Sequence, residues 1–271
     1  MTTDRTAQRD QFVAAYRAAL DGLLAATDGL DEAAWRADTG CPGWDVHDHL
    51  AHCTGVERNL LGDPDLDPDV EVPDLPHLRH DIGRYVERDV QARRGLPHGE
   101  LRAEARDAFA RRLVALEQLT PDQLTQETRS LFGPMRMASW LRMRLFDLAC
   151  HERDIRAAVG RLDGLSGEHV PIIVEQALRS WARTLPTRVD DAVTVRFEIA
   201  GEDVADLDLG SGTLSRGGGN GEAPAATLRL TPADALALAG GRSDAPELDA
   251  LEHRGDEELL GRLIVAAGVT P

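Results

Sequence analysis

Asp147 and His151 stand four residues apart in Met137–Gly160, MASWLRMRLFDLACHERDIRAAVG. On a helix that spacing puts an oxygen donor and a nitrogen donor on one face, close enough to grip one ion. Arg144 and Asp154 fall on the same stripe. Apolar residues flank it on both sides: Leu141, Leu148 and Ile155 on one, Met143, Cys150 and Ala157 on the other. A polar stripe set between two apolar ones faces a core or a cleft, where charges need a partner or a metal. A second polar stripe, Arg142, Arg153 and Arg156, lies roughly opposite and is expected to face water.

The stripe's partner is sought elsewhere in the chain. His52 lies in Val46–Leu61, a predicted helix with Asp45 as its N-cap and Asp48 as the acid of a capping box. Val56, Leu60 and Cys53 lie on one side of His52, and Ala51 and Gly55 on the other. His52 therefore occupies the inward sector; His47 falls outside it and His49 at its margin. His52, Asp147 and His151 together make two imidazoles and a carboxylate, the donor set of a catalytic metal with an open position. Zinc is the default, and Fe²⁺ or Ni²⁺ also suits these ligands. Asp154 is then a candidate acceptor for an outer imidazole N–H. Arg144 either pairs with Asp147 or binds a substrate carboxylate. The competing account is a buried Arg144–Asp147 ion pair with His151 and His52 as hydrogen-bonded core histidines. Cys53 and Cys150 each point about 100° away from the neighbouring candidate ligand and read as core residues.

These residues need elements to position them. Helices are predicted over 4–27, 46–61, 79–94, 100–119, 137–160 and 169–184, with a short helical turn at 31–35 and a helix start at Thr120-Pro121-Asp122 that soon gives way. From Asp190 the period becomes strand-like: Val193–Phe197, Val204–Leu209 and Ala226–Leu230. Ser211–Gly221 reads as a turn-rich hairpin region, and its Gly217–Gly219 run as a flexible turn. Thr231-Pro232 starts a helix through Leu238. Leu248–His253 reads as a strand or extended edge, and Glu257–Ala267 as a last helix. The expected fold is α plus α+β: an all-helical domain over 1–163 and a smaller α+β domain over 164–271. Gly62–Pro76 is an acidic, proline-rich loop without the ligand order of an EF-hand.

Composition narrows the function. The 271-residue chain carries a formal charge of −17, which disfavours nucleic acid and anionic membranes as partners. No apolar run is long enough to span a bilayer, and no export signal is evident. Three cysteines without paired spacing fit a reduced, cytoplasmic protein. No nucleophile elbow, P-loop or dinucleotide fingerprint is present. Richness in Ala, Arg, Asp and Gly suggests a high-GC genome.

The segment CPGWDVHDHLAHCTGVE resembles one in the mycothiol-dependent maleylpyruvate isomerase family, which carries Pro-Gly-Trp, then His-Leu-Ala and a Glu. RLFDLACHERDIRAAVG resembles the family's second segment: an acid, three residues, His, two residues, Asp, then Ala-x-Gly. ATLRLTPADALALAGGR and HRGDEELLGRLI look like its smaller C-terminal domain, itself similar to sterol-carrier folds. The resemblance implies a DinB-like four-helix bundle with a divalent metal, usually zinc, held at positions matching His52, Asp147 and His151. It implies mycothiol as thiol cosubstrate, an actinobacterial source, and attack of the activated thiol on an electrophilic small molecule, giving isomerisation or S-transfer. Arg144 becomes a candidate for a substrate or cofactor carboxylate, with Asp154 behind the ligands. Arg242, in GGRSDAPE, is a second cation for closing the cleft, or else a helix C-terminal cation. The family's acid is typically Glu; Asp147 is one methylene shorter, so the helices must approach more closely. A monomer or homodimer is expected. The alternative from another class is a non-catalytic binding or scavenging protein on the same fold.

Overall fold

Four long helices whose ends are written in local chemistry carry the first of two units. The computed structural model describes residues 2–202, 204–217 and 223–270, and divides into Met1–His169 and Val170–Thr270. The first unit contains α1 (Thr2–Ala26), α2 (Glu32–Trp35), α3 (Val46–Leu61), α4 (Asp81–Gln91), α5 (His98–Glu117) and α6 (Met137–Ala158). Asp45 caps α3: its carboxylate accepts from the Asp48 N–H while the Asp48 carboxylate accepts from the Asp45 N–H. Gly62 ends α3 in the left-handed region, at φ 77°, where a side chain would be strained. Between α5 and α6 the chain forms a short 3₁₀ turn at Pro121–Thr125. It then forms a small antiparallel pair, β1 (Glu127–Thr128) and β2 (Met135–Arg136), which the sequence pattern does not reveal.

The long helices close a ring in which α1 touches α5 and α6, and α3 touches α5 and α6. Leu20, Leu23, Leu50, Leu101, Leu141, Leu145 and Leu148 are fully buried inside it. Burying each such side chain stabilises the fold by about 2 kcal/mol, so packing outweighs helix propensity here. α4 lies outside the ring against α3.

One expectation is corrected on α6. Arg153 and Arg156 were expected to face water, yet they are only 5% and 8% exposed. Glu152, also buried, accepts from Arg156 Nε at 2.7 Å. Gly22 on α1 makes room for that pair, since a Cβ there would lie 2.5 Å from a Glu152 carboxylate oxygen. Periodicity marks these residues as polar; it carries no sign that they neutralise one another in place.

The second unit contains α7 (Val170–Arg188), β3 (Thr194–Ile199), β4 (Ala205–Asp208), β5 (Thr213–Arg216), β6 (Ala226–Leu230), α8 (Pro232–Ala239), β7 (His253–Gly255) and α9 (Glu257–Ala266). The sheet order is β5-β4-β3-β6-β7, with β3 and β6 parallel and the other neighbours antiparallel. Val195, Phe197 and Ile199 alternate inward along β3, and Trp181 of α7 stacks on Phe197 at 5.1 Å. The expected α plus α+β architecture is the one observed. β5 lies inside the region read as a turn-rich hairpin and forms its second arm, pairing antiparallel with β4. One detail differs. The predicted edge at Leu248–His253 is instead a 3₁₀ turn at Leu248–Ala250 followed by β7. Gly218 and Gly219 of the triple-glycine run lie outside the described residues. No helix among the described residues is long and apolar enough to cross a membrane.

Candidate metal centre

His52 projects from the middle of α3, and Asp147 and His151 from the middle of α6, which packs against it. Gly55 allows α4 to approach on the other side of α3: a Cβ there would lie 2.3 Å from Asp89 Cγ. Asp89 accepts from Asn59 Nδ2 at 2.9 Å and from Arg93 Nη1 at 3.3 Å.

Asp147 is the pivot of the cluster. Its Oδ2 is 3.7 Å from His52 Nε2, and its Oδ1 is 3.4 Å from His151 Nε2. One ligand atom from each of the three lies within 4.8 Å of the others. Tetrahedral ligands at the usual zinc distances sit about 3.3 Å apart, close to these spacings. His52 is 5% exposed, and neither of its ring nitrogens makes a hydrogen bond of ordinary length. A buried imidazole left so is costly, and a cation relieves one of its nitrogens. The donor set and the unsatisfied histidine both fit a divalent cation.

His49, His151 and Asp154 form a second close group. Its two Nδ1 atoms are 2.8 Å apart, a hydrogen-bond length and too short for two ligands of one ion. Asp154 Oδ2 lies 3.9 Å from His49 Nδ1 and 4.0 Å from His151 Nδ1, and its side chain is fully buried. This group lies behind His151, on the side away from Asp147.

Electrostatics keeps the cluster anionic at its centre. Burial pushes the Asp147 carboxyl up, but the Arg144 guanidinium and then His151 outweigh it and hold the group well below the usual carboxylate range. Arg144 Nη1 donates to Asp147 Oδ2, its Nε to Glu57 Oε1 at 2.9 Å, and its Nη2 to the Cys53 carbonyl at 3.5 Å. Glu57 is fully buried, and Arg112 Nε stands 3.1 Å from its other oxygen. Trp44 lies against three imidazoles, with ring centroids 5.1 Å from His52, 5.5 Å from His49 and 5.7 Å from His151. Its indole N–H donates to Glu87 at 2.8 Å. Asp147 has 42% of its side chain exposed, so the cluster opens toward solvent on that side.

The residue types expected to do chemistry are therefore unevenly distributed. His52, Asp147 and His151 meet, and Asp154 stands behind His151. Arg144 is 4% exposed, and three of its five N–H groups donate to Asp147, Glu57 and the Cys53 carbonyl, so of its two expected roles the ion pair with Asp147 is the one seen. Arg242 is in the second unit, at the C-terminus of α8, where its Nη1 donates to the Gly240 carbonyl at 2.8 Å. His49, Trp44 and Glu57 went unassigned. Trp44 and Glu57 end the Pro-Gly-Trp and acid signals already visible in CPGWDVHDHLAHCTGVE, and His49 opens its His-Leu-Ala.

Residues 16–156, more than half of the chain, match the family described as the mycothiol maleylpyruvate isomerase N-terminal domain. The chain belongs to the mycothiol maleylpyruvate isomerase family. Two solved structures are similar over 90% of this chain and 92% of theirs: the mycothiol-dependent maleylpyruvate isomerase, at TM-score 0.54, and a histidine-to-alanine mutant of it, at 0.53. Both are 16% identical to this chain, a likeness of fold. No curated protein matches. Against the family's usual glutamate, Asp147 loses a methylene, yet its oxygens still stand 3.4 and 3.7 Å from the two imidazole nitrogens.

Proposed function

We propose that His52, Asp147 and His151 hold a divalent cation, zinc foremost, in a thiol-dependent enzyme that uses mycothiol against small electrophiles. The observation that supports this most is the convergence of two imidazoles and an ionised carboxylate around a buried histidine that makes no ordinary hydrogen bond. A cation bound there supplies positive charge that lowers a thiol's pKa into the neutral range. The chain's own residues do the rest. Arg144, itself anchored by Glu57, fixes the Asp147 carboxylate. Trp44 covers the imidazoles on one side, which keeps the ligand face dry. Cys53 and Cys150, beside the ligands in sequence, are buried, and burial pushes the Cys53 thiol up; neither is given the nucleophilic role, which goes to the cosubstrate's sulfur.

Addition of the thiolate to an activated cis-alkene, rotation about the resulting single bond and expulsion of the thiolate gives cis–trans isomerisation. Retention of the carbon–sulfur bond gives S-transfer. Family membership favours the isomerase. The setting proposed is the reducing cytoplasm, with a small-molecule partner. The test is a screen of zinc-loaded protein with mycothiol, glutathione, bacillithiol and coenzyme A against activated cis-alkenes such as maleylpyruvate. Turnover with mycothiol, lost in His52→Ala, supports the proposal, and sulfur retained in the product marks transfer. Zinc bound without turnover of any thiol leaves a binding or scavenging protein.

A further inference from the structure

α4 lies outside the ring of long helices, and its two buried residues are Val90 and Glu87. A packing helix buries residues like Val90. A carboxylate is unexpected there, because a buried charge needs donors arranged around it. Glu87 has them from three places in the chain. Its Oε2 accepts from the Trp44 indole N–H at 2.8 Å, and His77 Nε2 stands 3.4 Å from the same oxygen. Its Oε1 accepts from Gln91 Nε2 at 2.8 Å, with Arg94 Nη2 at 3.2 Å. Arg94 also reaches the turn that presents Trp44: its Nη2 donates to the Gly43 carbonyl at 3.2 Å, and its Nε and Nη2 each donate to Asp48 at 3.0 Å. His77 lies against Gly43, whose φ is 86°; a Cβ there would lie 2.3 Å from His77 Nδ1.

The main chain of Trp44 is held separately. Its N–H donates to the Cys41 carbonyl at 3.2 Å, and its carbonyl accepts from Thr39 Oγ1 at 2.9 Å. Those bonds leave the indole free to turn about its own side-chain bonds. Packing alone does not orient a flat ring, since the ring turned over fills a similar outline. An indole carries one N–H, on one edge, so a single buried acceptor selects one orientation. Glu87 is that acceptor. The orientation it selects lays the ring beside His52, His49 and His151.

We infer that Glu87 is a positioning residue that holds the Trp44 indole against the three imidazoles, while His77 and Arg94 brace the Pro-Gly-Trp turn that carries it. A buried carboxylate–guanidinium contact can often be replaced by apolar packing at little cost in stability, so seating α4 on α3 does not call for one. Orienting a lone N–H does. The placement of the indole is independent of any cation. Its effect on zinc rests on the site proposed above, where the indole limits the access of water and chelators to the ligands.

Two measurements test this separately. The first reads the indole in metal-free protein by nuclear magnetic resonance. Imidazole C–H protons beside an indole are shifted by its ring current, and Trp44→Leu gives their unshifted positions. Glu87→Gln, whose side-chain carbonyl still accepts the indole N–H, leaves the His52, His49 and His151 resonances near those of the wild type. Glu87→Met, similar in length but without the acceptor, moves them toward those of Trp44→Leu. Wild-type resonances in folded Glu87→Met overturn the inference. Where Glu87→Met does not fold, the wild type itself decides: the Trp44 indole N–H, assigned by its absence in Trp44→Leu, exchanges slowly with solvent deuterium, and exchange as fast as that of a free indole overturns the inference. The second measurement is the rate of zinc release to excess chelator. Glu87→Met releases zinc about 10-fold faster than the wild type, Glu87→Gln releases it at nearly the wild-type rate, and in a Trp44→Leu background Glu87→Met adds nothing. Equal acceleration in both backgrounds means that Glu87 acts by a route other than the indole, and overturns the positioning role. A wild type that binds no zinc, with the imidazole resonances moving as expected in Glu87→Met, upholds the positioning of the indole and overturns the metal proposal instead.

Discussion

Glu57→Gln is the substitution whose cost follows most directly from the bundle. Glu57, on α3, is fully buried between Arg144 of α6 at 2.9 Å and Arg112 of α5 at 3.1 Å. The Arg112 guanidinium lies 5.9 Å from the centre of the Tyr16 ring on α1, so this carboxylate sits where all four long helices meet. Gln keeps the shape and removes the charge. Two guanidiniums, with 4% and 12% of their side chains exposed, then lose a shared counter-ion. Removing one partner of a buried ion pair costs 3–5 kcal/mol, and Arg144 keeps Asp147, so the expected loss is about 3 kcal/mol. For a unit of this size that corresponds to a fall in Tm of roughly 6–12 °C. Urea unfolding followed by far-UV circular dichroism reads the change, with a lower midpoint and an unchanged slope. Adding Arg112→Met should recover part of the loss, because it removes one of the two uncompensated charges. A loss below about 1 kcal/mol, or no recovery in the double variant, would refute the view of Glu57 as a shared counter-ion.

Other substitutions probe the supports of the site. Gly55→Ala should destabilise by about 1–3 kcal/mol in urea unfolding, because its Cβ would overlap Asp89 Cβ and Cγ on the adjoining helix. Glu104 accepts from Arg58 at 2.6 Å and Arg93 at 2.9 Å. Burial works to raise its pKa, but the two guanidiniums outweigh it and leave the carboxyl below its ordinary value. The folded pKa is thus below the unfolded one. The contribution is complete above the unfolded carboxyl range and is lost as pH falls through the folded value. Glu104→Gln should therefore cost about 2 kcal/mol at pH 7 and progressively less as the pH falls below about 4, read from urea midpoints across that range. Asp45→Ala should cost about 1 kcal/mol by the same assay, through loss of the α3 capping box.

Much of the scaffold was legible because its signals are local. The Asp45–Asp48 box and Gly62 bound α3, and the sequence boundaries of that helix coincide with the observed ones. The inward stripe on α6 follows from spacing alone. What eluded sequence reasoning depends on partners far away in the chain. Arg144 meets Glu57 across 87 residues, so its commitment to ion pairing could not be read from α6. Arg156 is buried because Glu152 neutralises it and Gly22 on α1 makes room for the pair. His49 looked marginal by angle, since an ideal helix does not show that His151 approaches to 2.8 Å. β1 and β2 are two residues long each, too short for a period to register.

The central claim is that His52, Asp147 and His151 share one divalent ion. The direct measurement is zinc content by mass spectrometry after loading and exhaustive dialysis, with folding checked by circular dichroism. The account predicts one zinc per chain in the wild type and none in folded His52→Ala, Asp147→Ala or His151→Ala. A wild type that retains no zinc, or three folded variants that all retain one, would contradict it.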